Sequence, residues 1–139
     1  MPDNIAVTQA TYERFGAGDI AGMLEFLSPE VVIEFYGPEV IPYAGTWRGH
    51  DEVSRWLQTI FGSVEIRRFE PQEMLADADK VITTGALELV ARPTGRAFAS
   101  DFVHVITLAD GRWTRFRDWM NTAVAAEAYI ARNFNGLEL

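Results

Sequence analysis

Apolar residues recur at three- and four-residue spacing through most of the first half of the chain and at alternate positions through most of the second, so helices lead and strands follow. Ile5, Thr8, Tyr12 and Phe15 predict a helix over 4–16, stopped by Gly16-Ala17-Gly18. Asp19 caps a second helix whose face is Ile20, Met23, Leu24 and Leu27, ended by Ser28-Pro29. A β-branched and aromatic run predicts a strand over 31–36, closed by Gly37-Pro38. From there to Gly49 the chain is rich in turn residues yet holds Val40, Ile41, Tyr43 and Trp47, and a loop with that much apolar area folds over something. Val53, Trp56, Leu57 and Ile60 restore helical spacing over 50–61, and Gly62 ends it.

Three long strands follow over 65–76, 80–92 and 96–108, separated by turns at Asp77-Ala78-Asp79 and Pro93-Thr94-Gly95, with a fourth over 112–120. An alanine-rich segment over 122–132, with Val124, Ala128 and Tyr129, predicts a terminal helix. Helices ahead of consecutive strands define an α+β class: a curved antiparallel sheet wrapped around three N-terminal helices, forming a cone with an internal pocket, in one domain over 1–139. Val81, Ile82, Leu87, Leu89 and Val90 make one strand apolar on both faces. No helix is left to cover the outer face, so a homodimer is expected through Asp101, Val103, Val105, Arg115, Arg117 and Trp119.

The last two strands each carry one titratable residue, His104 and Asp118, among Phe, Ile and Met. Such groups lose hydration in apolar surroundings, so they pair or do work. Whether they share a face depends on the turn between them. A two-residue loop at Asp110-Gly111 pairs Ala109 with Arg112 and, by alternation, turns the two residues to opposite faces, setting Arg115 and Arg117 among Phe102, Ile106 and Leu108. A three-residue loop with Gly111 as a left-handed bulge pairs Leu108 with Arg112 and gathers Phe98, Phe102, His104, Ile106, Phe116, Asp118 and Met120 on one face. The cost of burying two unpaired guanidinium groups favours the second register, with Asp118 opposite Phe102 and one diagonal step from His104.

Composition narrows the function classes. Twelve Lys and Arg against 20 Asp and Glu give a net charge of −8, which repels phosphate backbones and anionic membranes, so the expected partner is an apolar small molecule and neither nucleic acid nor membrane. No cysteine is present, which removes disulfides, thiol nucleophiles and thiolate metal sites. The two histidines, His50 and His104, lack metal-ligand spacing, so no metal is expected. His50 stands beside Asp51 and Glu52 at the start of a helix and serves that terminus. The N-terminus lacks a basic run before an apolar stretch, and a cytoplasmic location is expected.

The order of elements resembles the nuclear transport factor 2-like superfamily over nearly the whole chain. Phe15-Gly-Ala-Gly-Asp19, Ala44-Gly-Thr-Trp-Arg-Gly-His-Asp-Glu-Val53, and Ala109-Asp-Gly-Arg-Trp113 leading into Phe116-Arg-Asp-Trp-Met-Asn121 are similar to its SnoaL-like polyketide cyclase branch. That resemblance implies ring closure without a cofactor: an Asp on the last strand takes a proton from carbon next to a carbonyl, assisted by a His on the preceding strand. Asp118 and His104 fall at those positions, as general base and as hydrogen-bond donor to the developing enolate oxygen. Tyr12, Phe35, Tyr43, Trp47, Trp56, Phe102, Phe116 and Met120 are the expected walls for an apolar, ring-containing substrate.

Other chemistries of the same scaffold fit less well. The ketosteroid isomerase branch places its tyrosine near Thr11 and its base near Phe35, leaving Tyr12 or Glu34 to substitute. Epoxide hydrolase-like activity would use Glu88 with Asp118, but residue 86 is Ala where that branch has Arg. A non-catalytic binding or dimerisation domain stays open on the residues alone, with His104 a satisfied core residue and Asp118 paired to Arg115 or Arg117. A transport adaptor would need an exposed partner surface that nothing in the chain calls for.

Overall fold

Asp3 starts the first helix: its carboxylate accepts from the amides of Ile5 and Ala6 at 3.0 and 3.2 Å, satisfying two donors that a helix start leaves free. The computed structural model describes residues 3–131, beginning with this helix, α1 (Asn4–Gly16). Asp19 caps α2 (Ile20–Leu24) through the Gly22 amide at 2.8 Å. That helix is shorter than its spacing predicts. Pro29 has no amide and disfavours helical backbone at Ser28, while the Trp113 amide donates to the Phe26 carbonyl at 2.8 Å, so Leu27 joins β1 (Leu27–Phe35) instead.

The turn-rich segment hides a four-residue strand, β2 (Gly45–Arg48), which pairs along β1 from Val32↔Arg48 to Phe35↔Gly45. It runs straight into α3 (Gly49–Ser63), whose buried face is Val53, Trp56, Leu57 and Ile60. His50, in its first turn, donates from Nε2 to the Leu27 carbonyl at 2.9 Å and ties the helix to β1. A meander follows: β3 (Val64–Asp77), β4 (Lys80–Ala91), β5 (Arg96–Ala109) and β6 (Arg112–Met120), then α4 (Thr122–Tyr129). Ile130 is already extended. The helix therefore ends at Tyr129, short of the 122–132 span that the sequence predicts; residue 132 and the tail beyond it lie outside the described residues, as do Met1 and Pro2. Among the described residues, no helix is long and apolar enough to cross a membrane.

The six strands form one open sheet in the order β2-β1-β6-β5-β4-β3. Every pair is antiparallel except β1 with β6, a departure from the wholly antiparallel sheet that the strand run predicts. Parallel neighbours need a long connection, and the stretch between β1 and β6 holds α3 and most of the meander. Register shifts in β3, between Ile66 and Arg68 and between Pro71 and Glu73, bend that strand over the helices. The core between helices and sheet is apolar and aromatic, with Leu27, Val31, Ile33, Val53, Leu57, Phe102 and Ile106 essentially sealed from solvent.

The β5–β6 hairpin reaches the expected parity by another device. Its loop has two residues, Asp110 and Gly111, at φ 52° and 75°, so Ala109 pairs with Arg112. Both positive values suit the right-handed twist of the flanking strands. The extra residue is Thr114: Leu108 pairs with Trp113 and Thr107 with Arg115, and the Thr114 hydroxyl donates to the Thr107 carbonyl at 3.1 Å. The bulge therefore lies in β6, not in the turn. His104 pairs directly with Asp118, and Phe102 with Met120, which replaces the diagonal arrangement expected from a three-residue loop.

On the outer face, Arg115 donates to Glu34 at 2.8 and 3.2 Å, Tyr36 donates to the same carboxylate, and the Tyr36 ring stacks on Trp119 at 5.0 Å. The Arg117 guanidinium lies 5.3 Å from the Trp119 ring centroid. Neither arginine turns inward.

Two outcomes follow from this packing. Gly85 sits under Phe102, where a Cβ would lie 2.4 Å from the ring and 2.3 Å from the Glu70 carbonyl. Gly85→Ala should lower unfolding free energy by about 2 kcal/mol, measured by urea denaturation; an unchanged midpoint would contradict the contact. The hydrogen bond from Arg115 holds the Glu34 carboxyl below its usual range. A depressed folded value stabilises above the unfolded one and is lost as pH falls through it. Melting temperatures of wild type and Glu34→Gln should therefore differ at pH 7, and the difference should shrink as pH falls below the usual carboxylate range.

Candidate functional site

Strand register builds the site before any side chain is considered. Thr83↔His104, His104↔Asp118 and Asp118↔Phe35 are direct pairs, so four neighbouring strands, β4, β5, β6 and β1, present these residues as one row on the inner face. Packing fixes the imidazole. Phe102 stacks on it at 4.4 Å and Phe116 tilts against it at 4.5 Å. Tyr12 reaches down from α1, and its hydroxyl lies 2.7 Å from His104 Nδ1. On the other side of the ring, Nε2 faces Asp118 Oδ1 at 3.4 Å, with the two side chains 4% and 15% exposed.

The polar groups differ in how fully they are engaged. His104 has a short bond on Nδ1 and a loose contact on Nε2. No Lys or Arg among the described residues pairs with Asp118, because Arg115 serves Glu34 and Arg117 packs on Trp119. Burial, together with the Asp118 charge, pushes the Tyr12 phenol well up, so it stays protonated as a donor. The neighbouring Thr83 hydroxyl opposes burial more weakly. No group of three or more His, Cys, Asp and Glu side chains among those residues is placed to hold a metal ion.

Around this row lies a cavity of about 80 Å³ with almost wholly apolar walls. Tyr12, Phe35, Tyr43, Trp56, Phe116 and Met120 line it with His104 and Asp118. Two of the residues expected there do not. Phe102 is wedged behind His104, sandwiched against Phe69 at 4.9 Å. Trp47 lies on edge strand β2 and donates from Nε1 to the Tyr43 carbonyl at 3.3 Å, an acceptor it shares with Trp56 at 3.1 Å. That shared acceptor explains the aromatic loop: it is pinned beside α3, carrying Tyr43 into the wall. Tyr43 also meets the Tyr129 hydroxyl at 3.3 Å, and burial pushes its phenol up.

The expected site omits Phe15, Phe69, Trp113 and Thr83, which the structure places beside His104 and Asp118. Ile66 and Phe69 are three apart on β3, which strict alternation sends to opposite faces; the register shift between them brings both to the cavity. Thr83 follows the alternation of Val81, Thr83 and Leu87 on β4 and is readable from it. Glu88 points away, exposed and 4.0 Å from Arg68, so among the described residues no second carboxylate faces Asp118 as epoxide opening would require. Glu34 lies on the outer face with Arg115 and does not replace a base at Phe35.

Among solved structures, the chain is similar to an NTF2-like protein of unknown function from Burkholderia pseudomallei K96243, with 30% identity, TM-score 0.83, and 94% of this chain and 100% of that one covered. It is similar also to an NTF2-like protein from Burkholderia xenovorans LB400, with 29% identity, TM-score 0.84, and coverage of 91% and 95%. A third is TerC co-crystallised with polyporic acid, with 28% identity, TM-score 0.78, and coverage of 91% and 97%. No curated protein matches significantly. The sequence model of the SnoaL-like domain matches residues 8–116, which run from α1 through the inward-facing residues of β6 as far as Phe116, and on that match the chain belongs to the SnoaL-like family.

Proposed function

We propose that the protein is a small enzyme that removes a proton from carbon next to a carbonyl in an apolar, ring-containing molecule, in the manner of a cyclase or isomerase. One observation carries this reading: Asp118, inside an apolar cavity, has no cationic partner among the described residues and faces only the loosely held Nε2 of His104. A structural carboxylate would be neutralised there. Membership of the SnoaL-like family and the co-crystallisation of TerC with polyporic acid support an organic small molecule as ligand.

In the proposed step, an Asp118 oxygen accepts the proton as the C–H bond breaks, and the electron pair moves onto the carbonyl oxygen. The Tyr12 hydroxyl donates to Nδ1, which leaves the imidazole proton on Nε2, directed to Asp118 and the cavity. Nε2–H then donates to the enolate oxygen as charge develops. In a cyclase the enolate carbon attacks a second carbonyl, whose oxygen takes the proton back from Asp118 as it becomes a hydroxyl; in an isomerase a conjugated dienolate takes that proton at a different carbon.

The outer sheet face supports a homodimer. Ile82, Val103 and Trp119 are exposed there beside charges of both signs, Glu34, Arg115 and Arg117. An isologous pair would cover the apolar residues and set unlike charges opposite one another.

Deuterium exchange at the α-carbon of 2-tetralone or anthrone, followed by proton NMR, tests the chemistry. Wild type should accelerate exchange; Asp118→Asn should lose at least about a hundredfold and His104→Ala about tenfold, with Tyr12→Phe between wild type and His104→Ala. Full exchange by Asp118→Asn would leave a binding domain instead. Light scattering at micromolar concentration should give twice the 15.6 kDa chain mass, falling to one chain in Val103→Asp; a monomeric wild type would refute the contact.

A further inference from the structure

The cavity at His104 and Asp118 is too small for what the reaction asks of it. Its roughly 80 Å³ compares with the ~150 Å³ that accommodates a single benzene ring in a protein interior. A second space adjoins it, an open groove of about 860 Å³ between α1 and β3, and Tyr12, Phe15, Val64, Ile66 and Phe69 wall both. Rings form much of the partition. Phe15 meets Phe69 edge-on at 5.3 Å and stacks on Phe61 at 5.3 Å, with no hydrogen bond to break if either ring turns aside.

At the α3 end of the groove stands Arg92. Its Nε donates to the carbonyls of Phe61 and Val64 at 3.1 and 3.0 Å, which fixes the guanidinium plane. No carboxylate pairs with it among the described residues, so its two terminal nitrogens are left to the groove. The other charged residue on the groove wall is Glu13, exposed on α1. One anchored cation opposite one free acid selects a single anion at the Arg92 end and disfavours a second along α1.

Building on the proposed function, we infer that the substrate is elongated and bipartite: an apolar ring enters past Phe15 and Phe69 to reach Asp118, while an anionic group, a carboxylate or its like, stays in the groove and is held by Arg92. The groove is thus a substrate subsite, and Arg92 sets specificity there.

Two fluorescent probes with the same rings separate the charge from the shape: 1-anilinonaphthalene-8-sulfonate, which is anionic, and N-phenyl-1-naphthylamine, which is neutral. Arg92→Gln should weaken the sulfonate probe about tenfold and leave the neutral one within about twofold. Arg92→Lys should fall between, since it keeps the charge and loses the fixed fork. Filling the chamber by Leu87→Phe or, independently, Met23→Phe should weaken both probes. Equal effects of Arg92→Gln on the two probes, no effect on either, or unchanged binding in both chamber-filled variants would overturn the inference. Probe binding is read without turnover, so failure of the subsite and failure of the chemistry are separate results.

Discussion

One extra residue on β6 decides the chemistry of the inner face. Side chains on a strand alternate with a strict period of two, so a single inserted position reverses the facing of everything beyond it. The Asp110-Gly111 turn alone would send Asp118 outward and bring Arg115 and Arg117 into the core. The bulge at Thr114, tied by its own hydroxyl to the Thr107 carbonyl, restores the opposite parity. His104 then meets Asp118 across the ladder, and the two arginines find Glu34 and Trp119 on the outer face.

A buried imidazole and acid survive here because their surroundings discriminate between them. His104 is gripped by rings on both sides and by a phenol on one nitrogen, so its orientation is over-determined. Asp118 has nearly the opposite situation, with apolar walls and one long contact. The rigid partner and the under-satisfied one lie side by side, an arrangement that costs stability and suits a group that must exchange a proton.

Much of this architecture is legible in the residue pattern, and the gaps have physical causes. The spacing over α1 and the alternation over β5 and β6 mark those elements because one face of each is buried against the core. Burial cost alone puts His104 and Asp118 on one face, although it assigns the parity change to the turn. A four-residue edge strand such as β2 is too short to show alternation. The reach of Tyr12 across to His104 joins a helix to a sheet, and no local spacing encodes such a bond. Phe69 escapes because its own strand is irregular, so the period that would reveal it is interrupted just before it.

The parallel seam between β1 and β6 has a consequence for assembly. Of all the strand pairings it joins the segments farthest apart along the chain, and it is what places Phe35 against Asp118. The β3–β6 meander can pair locally, but the loop entropy of the seam is met only when the helical half docks. Until then the acid stands at an unprotected sheet margin, wet and without Phe35 beside it. The apolar chamber and the contact between Phe35 and Asp118 therefore come into being in the same event.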